Sequence, residues 1–135
     1  SPPAIDKRRE TDAERAGAAQ TEPGQWQAWT PQLAQQTLAQ GRPVFIDFTA
    51  AWCVTCQYNK QTTLANAQVL ADLQARQVLL LRADWTRRDP AITQALAELG
   101  RSGVPVYALY APGKPPQLLP EVLSVAALKA ALAAL

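Results

Sequence analysis

The sequence predicts an α/β fold in which a central mixed β-sheet is flanked by helices on both faces. Two observations support this prediction. Short runs of apolar and β-branched residues alternate with segments of helical spacing, and a turn at 111–113 joins two strand candidates directly, which makes that pair antiparallel. At 135 residues, 48% of them hydrophobic, the chain is long enough to bury the core of one domain without disulfide staples.

Residues 1–24 are predicted to be a flexible linker or tether, and residues 25–135 to be the folded domain. The first segment carries four positive and five negative charges and one large apolar residue, Ile5. It therefore cannot bury enough surface to offset the entropy of ordering. The alternative is a solvated helix through 10–20 that docks on a neighbour. Because the chain begins at Ser1 and contains no Met, we expect a processed form or an excised domain.

The first half of the folded part is predicted to be a helix, a strand and a second helix. Thr30 and Pro31 provide an N-cap and a proline at the first helical position, and helical spacing continues to Gly41. The run at 44–48 is apolar, β-branched and aromatic, as expected for a buried strand. Helical spacing then extends over 53–64.

The second half continues the alternation of strands and helices. A new N-cap at Asn66 indicates that the preceding helix kinks or restarts there, and the apolar run at 78–81 is typical of a central strand covered on both faces. The remaining predicted elements are a helix from Asp89 to Gly100, a strand over 104–110, a short edge strand over 117–119 and a closing helix capped by Ser124.

Charge and hydropathy exclude two classes of partner. The formal net charge is +2, which is too small to predict binding to nucleic acid or to an anionic membrane surface. No apolar run approaches the roughly 18 residues that a transmembrane helix requires, so we expect no direct membrane insertion by this chain.

Cys53 and Cys56 are the two cysteines of the chain, and they stand where the predicted strand passes into a helix. A zinc site needs four ligands, usually Cys and His, and this sequence has no further Cys and no His. Covalent haem attachment needs His directly after the second Cys, where Gln57 stands. A purely structural disulfide would close too short a loop to stabilise the fold much. Redox chemistry is favoured; an inert pair and a metal shared between molecules are the alternatives.

The helix start predicts different roles for the two thiols. The sulfur of Cys53 would lie over free backbone N–H groups at the positive end of the helix dipole, which favours thiolate and makes Cys53 the nucleophile. Cys56, one turn further on, would lie deeper and resolve the mixed disulfide. Val54 and Thr55 between them are uncharged, so the reduced form gains little extra stabilisation, which favours a reductant or an intermediate carrier.

Asp47 lies in the predicted strand among apolar neighbours and is therefore expected to be buried. A buried carboxyl has a raised pKa, and beneath a dithiol it could accept the proton of Cys56 during resolution. The alternative is an Asp at the edge of the sheet, exposed to water.

Several of these residues together resemble the thioredoxin superfamily. Asp47 precedes the cysteine pair by six positions, Trp52 stands directly before it, and Gly-Val-Pro follows at 103–105. The strings FTAAWCVTC at 48–56 and LLLRADWT at 79–86 are similar to the C-terminal periplasmic domain of the DsbD family of transmembrane disulfide reductases. The resemblance implies a thioredoxin-like fold for residues 25–135.

The resemblance also implies a binding surface formed by Trp52, Val104 and Pro105. Pro105 would be the cis-proline beside the disulfide, which would leave the backbone of Val104 free to pair with an extended partner segment. The alternative is a trans proline at the start of a strand.

Lys60 stands where better-known members of the resembled family have an acid. A cation one turn after Cys56 would stabilise thiolate and would not accept its proton, so Lys60 is a candidate modulator of the site. The alternative is a solvated lysine on the outer face of the helix.

The resemblance implies a disulfide reductase that relays electrons from a membrane-embedded domain to periplasmic disulfides. It would use the Cys53–Cys56 disulfide and no bound cofactor or metal. The expected partners are other domains of a DsbD-like membrane protein and disulfide-bearing periplasmic proteins, and the chain is expected to be a monomeric periplasmic domain of an inner-membrane protein. The alternatives are a free-standing thioredoxin-like reductase, a periplasmic oxidase or isomerase, and a non-catalytic thioredoxin-fold binding module.

Overall fold

The computed structural model describes residues 25–135, so the linker predicted for 1–24 lies outside the described residues. The described part forms one five-stranded sheet in the order β1-β3-β2-β4-β5. Strand β3 runs parallel to β1 and β2, whereas β4 runs antiparallel to β2 and β5. The predicted mixed sheet is confirmed. The strands are β1 (Gln27–Ala28), β2 (Val44–Thr49), β3 (Leu79–Asp84), β4 (Val106–Tyr110) and β5 (Gln117–Leu119).

The helices begin at the capping residues that the sequence indicates. The side chains of Thr30, Asn66, Asp89 and Ser124 each accept a backbone N–H from the first turn of the following helix, which satisfies one of the free amides at each helix start. The helices are α1 (Pro31–Ala39), α2 (Val54–Gln61), α3 (Ala67–Ala75), α4 (Pro90–Glu98) and α5 (Val125–Ala133), with a 3₁₀ turn at Thr63–Ala65 between α2 and α3.

Alternating side chains of β2 divide the core into two layers. Phe45 packs with residues of α3 and α5 on one face, and Val44 and Ile46 pack with residues of α4 and α1 on the other. Because successive side chains of a strand point to opposite faces, Asp47 lies on the face of Phe45. Helix α2 covers this same face, since Asn59 donates a 2.8 Å hydrogen bond to the hydroxyl of Tyr107 in the first layer.

Several element boundaries differ from the predictions. Strand β3 runs on to Asp84 because it pairs with β2 along its whole length, and β4 begins at Val106 because Pro105 has no N–H for the ladder. The helix predicted over 53–64 ends at Gln61 and, after the 3₁₀ turn, restarts at the Asn66 cap. The two-residue strand β1 was not predicted, since so short a run shows no period of its own.

None of the helices described here has the length and apolar character needed to cross a lipid bilayer.

Candidate active site

The two cysteines form a disulfide at the junction between the central strand and α2. Cys53 is itself the N-cap of the helix, and its sulfur accepts the backbone N–H of Cys56 at 3.1 Å. Helix α2 therefore begins one residue later than predicted, at Val54. The expected placement of the Cys53 sulfur over free amides is confirmed, and it favours a thiolate there once the disulfide is reduced.

The two sulfur-bearing residues differ in access. Cys53 keeps 7% of its surface exposed, whereas Cys56 is fully buried. Ala50 and Val104 pack against the pair. A group arriving from solvent can therefore reach Cys53 and not Cys56.

Three exposed side chains carry apolar surface around the disulfide. Trp52 precedes it, and Val54 and Tyr58 follow it on the first turns of α2. An exposed apolar patch next to a reactive group is typical of a surface on which another protein docks.

Trp52 is held by the loop that follows β3. Its indole N–H donates to the backbone carbonyl of Thr86 at 3.1 Å, and the amide of Ala51 donates to the hydroxyl of Thr86 at 2.8 Å. The hydroxyl of Thr86 in turn donates to the carboxylate of Asp84. In the sequence, Asp84 and Thr86 stand out only as part of the run LLLRADWT at 79–86. In the structure they hold Ala51 and Trp52 in place beside the disulfide.

Val104 and Pro105 come from the loop before β4. Val104 packs against the cysteine cluster, and Pro105 is buried. The peptide bond between them is cis, as expected.

Asp47 is fully buried, so the predicted burial is confirmed and the exposed alternative is wrong. Burial raises the pKa of its carboxyl, and the charges of Arg82 and Lys60 oppose that shift in part. Its Oδ2 accepts a hydrogen bond from Nε of Arg82 at 3.1 Å, whereas Oδ1 has no partner among the described residues. An unpartnered oxygen on a buried carboxyl is free to take a proton.

The sequence alone does not single out Arg82 as a partner of Asp47. Arg82 interrupts the apolar run of β3 and lies in register with Asp47 in the parallel ladder. The charge of the residue was visible in the sequence, but the pairing depends on that register. Its guanidinium also lies 4.2 Å from the ring centroid of Trp26, a cation–π contact that keeps the cation at the sheet surface.

Lys60 does not lie on a solvated outer face, so that alternative is wrong. It is half-buried and lines a cavity of about 270 Å³ together with Thr49, Gln57, Arg82 and Asp84. Burial lowers the pKa of Lys60, and the carboxylate of Asp47 opposes that shift. Its charge therefore acts on the buried acid, and not only on the sulfur as predicted from its position one turn after Cys56.

The raised pKa of Asp47 predicts how stability depends on pH. Between the pKa of the unfolded chain and the higher pKa of the native state, the native state binds more protons, so the free energy of unfolding should fall as pH rises through this window. Below about pH 4, Asp47 is protonated in both the native and the unfolded state, so its contribution to the free energy of unfolding no longer changes with pH. Asp47→Asn should flatten the curve, as measured by urea unfolding of the oxidised protein at a series of pH values.

The control for this prediction is Asp72→Asn, which alters a carboxylate in an exposed ion pair with Arg76. Its curve should keep the slope of the unsubstituted protein. If the curves of Asp47→Asn and of the unsubstituted protein run parallel, Asp47 does not titrate as the structure indicates.

Within residues 25–135, no three side chains of His, Cys, Asp or Glu are grouped so that they could hold a metal ion.

Comparison with known proteins agrees with this geometry. A family model described as thioredoxin-like matches residues 25–112. The thiol:disulfide interchange protein DsbD 1 of Pseudomonas aeruginosa is 35% identical over 96 residues, which are 67% of this chain and 16% of that protein. DsbD of Yersinia enterocolitica is 38% identical over 86 residues, or 62% and 14% of the two. The chain thus spans about a sixth or less of the length of these curated relatives.

Two solved structures of the C-terminal domain of Neisseria meningitidis DsbD share the fold. The oxidised form superimposes with a TM-score of 0.62 at 23% identity, over 73% of this chain and 89% of that domain. The reduced form gives a TM-score of 0.61 at 18% identity, over 92% and 96%.

Proposed function

This chain belongs to the thioredoxin-like family, and on that premise we propose that it is a disulfide reductase domain of a DsbD-like membrane protein. It receives electrons from a membrane-embedded domain and passes them to disulfide-bearing proteins of the periplasm. The proposal rests on the disulfide at the start of α2, in which Cys53 is partly accessible to solvent and Cys56 is buried. The predicted family and fold are confirmed; the electron route and the periplasmic location are proposals.

The exchange begins with the reduced pair. The thiolate of Cys53 attacks one sulfur of the partner disulfide, forming a mixed disulfide and releasing the other partner sulfur as a thiolate. Cys56 then attacks the sulfur of Cys53, which releases the second partner thiol and restores the Cys53–Cys56 disulfide. Two electrons pass to the partner, and the membrane-embedded domain supplies two further electrons that reduce the Cys53–Cys56 disulfide again.

Asp47 accepts the proton of Cys56 in the resolving step. This role is supported by its complete burial on the face of the sheet that α2 covers and by its unpartnered Oδ1. Arg82 and Lys60 oppose the rise in the pKa of the carboxyl that burial causes, and thereby favour the ionised form, which can act as a base.

The partner docks on the exposed apolar surface that Trp52, Val54 and Tyr58 form around the disulfide. Trp52 contributes a large, partly exposed ring held by the hydrogen bond to Thr86, and Val104 packs against the cysteines from the opposite loop. An extended partner segment could add to the exposed backbone of this loop in the manner of a β-strand, which would place its cysteine over Cys53.

The direction of transfer follows from the stabilisation of the thiolate. The helix terminus favours the reduced pair, but Val54 and Thr55 carry no charge, and the nearby carboxyl of Asp47 disfavours a second negative charge. We expect a reduction potential nearer that of thioredoxin, about −270 mV, than that of DsbA, about −120 mV.

The difference of about 150 mV corresponds to roughly 7 kcal/mol for a two-electron couple, so the measurement decides between a reductase and an oxidase. The chain is equilibrated with glutathione buffers of known potential, and free Cys53 is quantified by alkylation and mass spectrometry. A potential above about −170 mV would rule out the reductase and leave an oxidase or isomerase.

A further inference from the structure

The loop after β3 places a cation against two indole rings beside the disulfide. The guanidinium carbon of Arg88 lies 5.0 Å from the ring centroid of Trp52 and 4.9 Å from that of Trp85. The two rings are themselves tilted against each other at a centroid distance of 6.0 Å. Trp52 directly precedes Cys53, so the guanidinium of Arg88 lies at the surface on which a partner of Cys53 would dock.

The backbone of Arg88 is in a conformation that non-glycine residues rarely adopt. Its φ is +54°, in the left-handed region, where a side chain with a Cβ is disfavoured. Its amide donates to the carbonyl of Trp85 at 2.9 Å, which closes a tight turn. Such strain persists where the surroundings enforce it, and it is concentrated at functional sites. Here the strained turn places the guanidinium on the two rings.

The charge of Arg88 is not neutralised within the described part of the chain, where the ion pairs join Arg76 to Asp72 and Arg82 to Asp47. The acids of its own loop are engaged elsewhere. The carboxylate of Asp84 accepts from the backbone N–H and the hydroxyl of Thr86.

The other acid of the loop is Asp89, whose carboxylate accepts from the first turn of α4. The neighbouring Arg87 lies close enough to lower the pKa of Asp84, so its charge is partly compensated. Arg88 is the arginine of this loop that both contacts Trp52 and lacks a carboxylate partner in residues 25–135.

We propose that Arg88 is a specificity-determining residue that selects partner segments with a carboxylate near their disulfide. The contact with the two rings holds the guanidinium beside them, and a cation–π contact does not use its N–H groups, which can therefore donate to a partner. A carboxylate that meets these groups gains charge-assisted hydrogen bonds at little further cost in side-chain entropy, because the arginine is already ordered. The inference rests on the proposed thiol:disulfide exchange.

Three small disulfides of similar shape and different charge test this preference. They are 3,3′-dithiodipropionate, bis(2-hydroxyethyl) disulfide and cystamine, which carry two negative charges, no charge and two positive charges. The reduced chain transfers two electrons to each, ending as the Cys53–Cys56 disulfide and two small thiols. Rates are measured under pseudo-first-order conditions at low ionic strength, and each protein's rates on the charged disulfides are divided by its own rate on the neutral one.

The unsubstituted protein should reduce the anionic disulfide about fivefold faster than the cationic one, the order expected for unit charges roughly 8 Å apart in water. The ratio should shrink at about 1 M salt. Arg88→Gln should lower it below about twofold. Arg87→Gln removes the same charge one residue away and should keep most of the ratio. Arg88→Lys retains a cation without the planar guanidinium and should give an intermediate ratio, which separates the effect of the charge from that of the guanidinium.

The proposal is overturned if the unsubstituted protein shows a ratio below about two. It is also overturned if Arg87→Gln lowers the ratio as much as Arg88→Gln does. These outcomes leave the reductase function standing when the neutral disulfide is still reduced. Failure of the unsubstituted protein to reduce the neutral disulfide would instead refute the exchange activity itself.

Discussion

Cys53→Ser should abolish reduction of an external disulfide, whereas Cys56→Ser should attack once and remain joined to its partner. The reason is access: Cys53 keeps some exposed surface and receives the N–H of Cys56 on its sulfur, while Cys56 is fully buried. A serine hydroxyl forms no nucleophile comparable to the thiolate. The measurement is accumulation of the mixed disulfide with a disulfide-bearing peptide, followed by non-reducing electrophoresis and mass spectrometry.

Thr55→Ser is the matched control, since it changes a residue between the two cysteines and leaves both thiols in place. It should neither trap the partner nor lose turnover. If Cys53→Ser still forms the adduct and Cys56→Ser does not, the roles of the two cysteines are the reverse of those assigned.

Asp47→Asn should slow resolution of the mixed disulfide about a hundredfold at neutral pH while the first attack by Cys53 remains fast. The asparagine keeps the shape of the side chain but cannot accept a proton, and general base catalysis typically contributes a factor of this size or more. The mixed disulfide is formed with a chromogenic partner, and its decay is followed by stopped-flow absorbance between about pH 6 and 8.

Lys60→Gln sharpens this experiment. The charge of Lys60 lowers the pKa of Asp47, so its removal should move the acid limb of the pH–rate profile to higher pH without removing the base. Asp72→Asn, in the surface ion pair with Arg76, should leave the profile unchanged. Decay rates of Asp47→Asn equal to those of the unsubstituted protein across this range would exclude Asp47 from proton transfer.

Much of the fold was predictable from the sequence because its signals are local. Thr30, Asn66, Asp89 and Ser124 precede helical patterns, and their side chains cap the helices that follow in the structure. The continuous apolar run of β3 indicated a strand covered on both faces, and its side chains divide between the two core layers. The turn at 111–113 does lead into the antiparallel partner of β4.

The site was predictable only where its parts are adjacent in the chain. The position of the cysteines at a strand-to-helix junction predicts that a sulfur lies over the helix amides. The apolar neighbours of Asp47 in its strand predict that it is buried. Both predictions depend only on the spacing of residues within one helix or strand. The functional roles of Asp47, Trp52, Val104, Pro105 and Lys60 remain predictions.

What the sequence by itself determined about this protein is its alternating elements, its redox-active pair and the burial of its acid. The tertiary structure decided which charges meet. The pairing of Arg82 with Asp47 depends on the register of two parallel strands, and the contact of Arg88 with Trp52 joins residues far apart in the chain. Such contacts leave no periodic signal, because their geometry is set by strand order and loop conformation and not by the spacing of residues within one element.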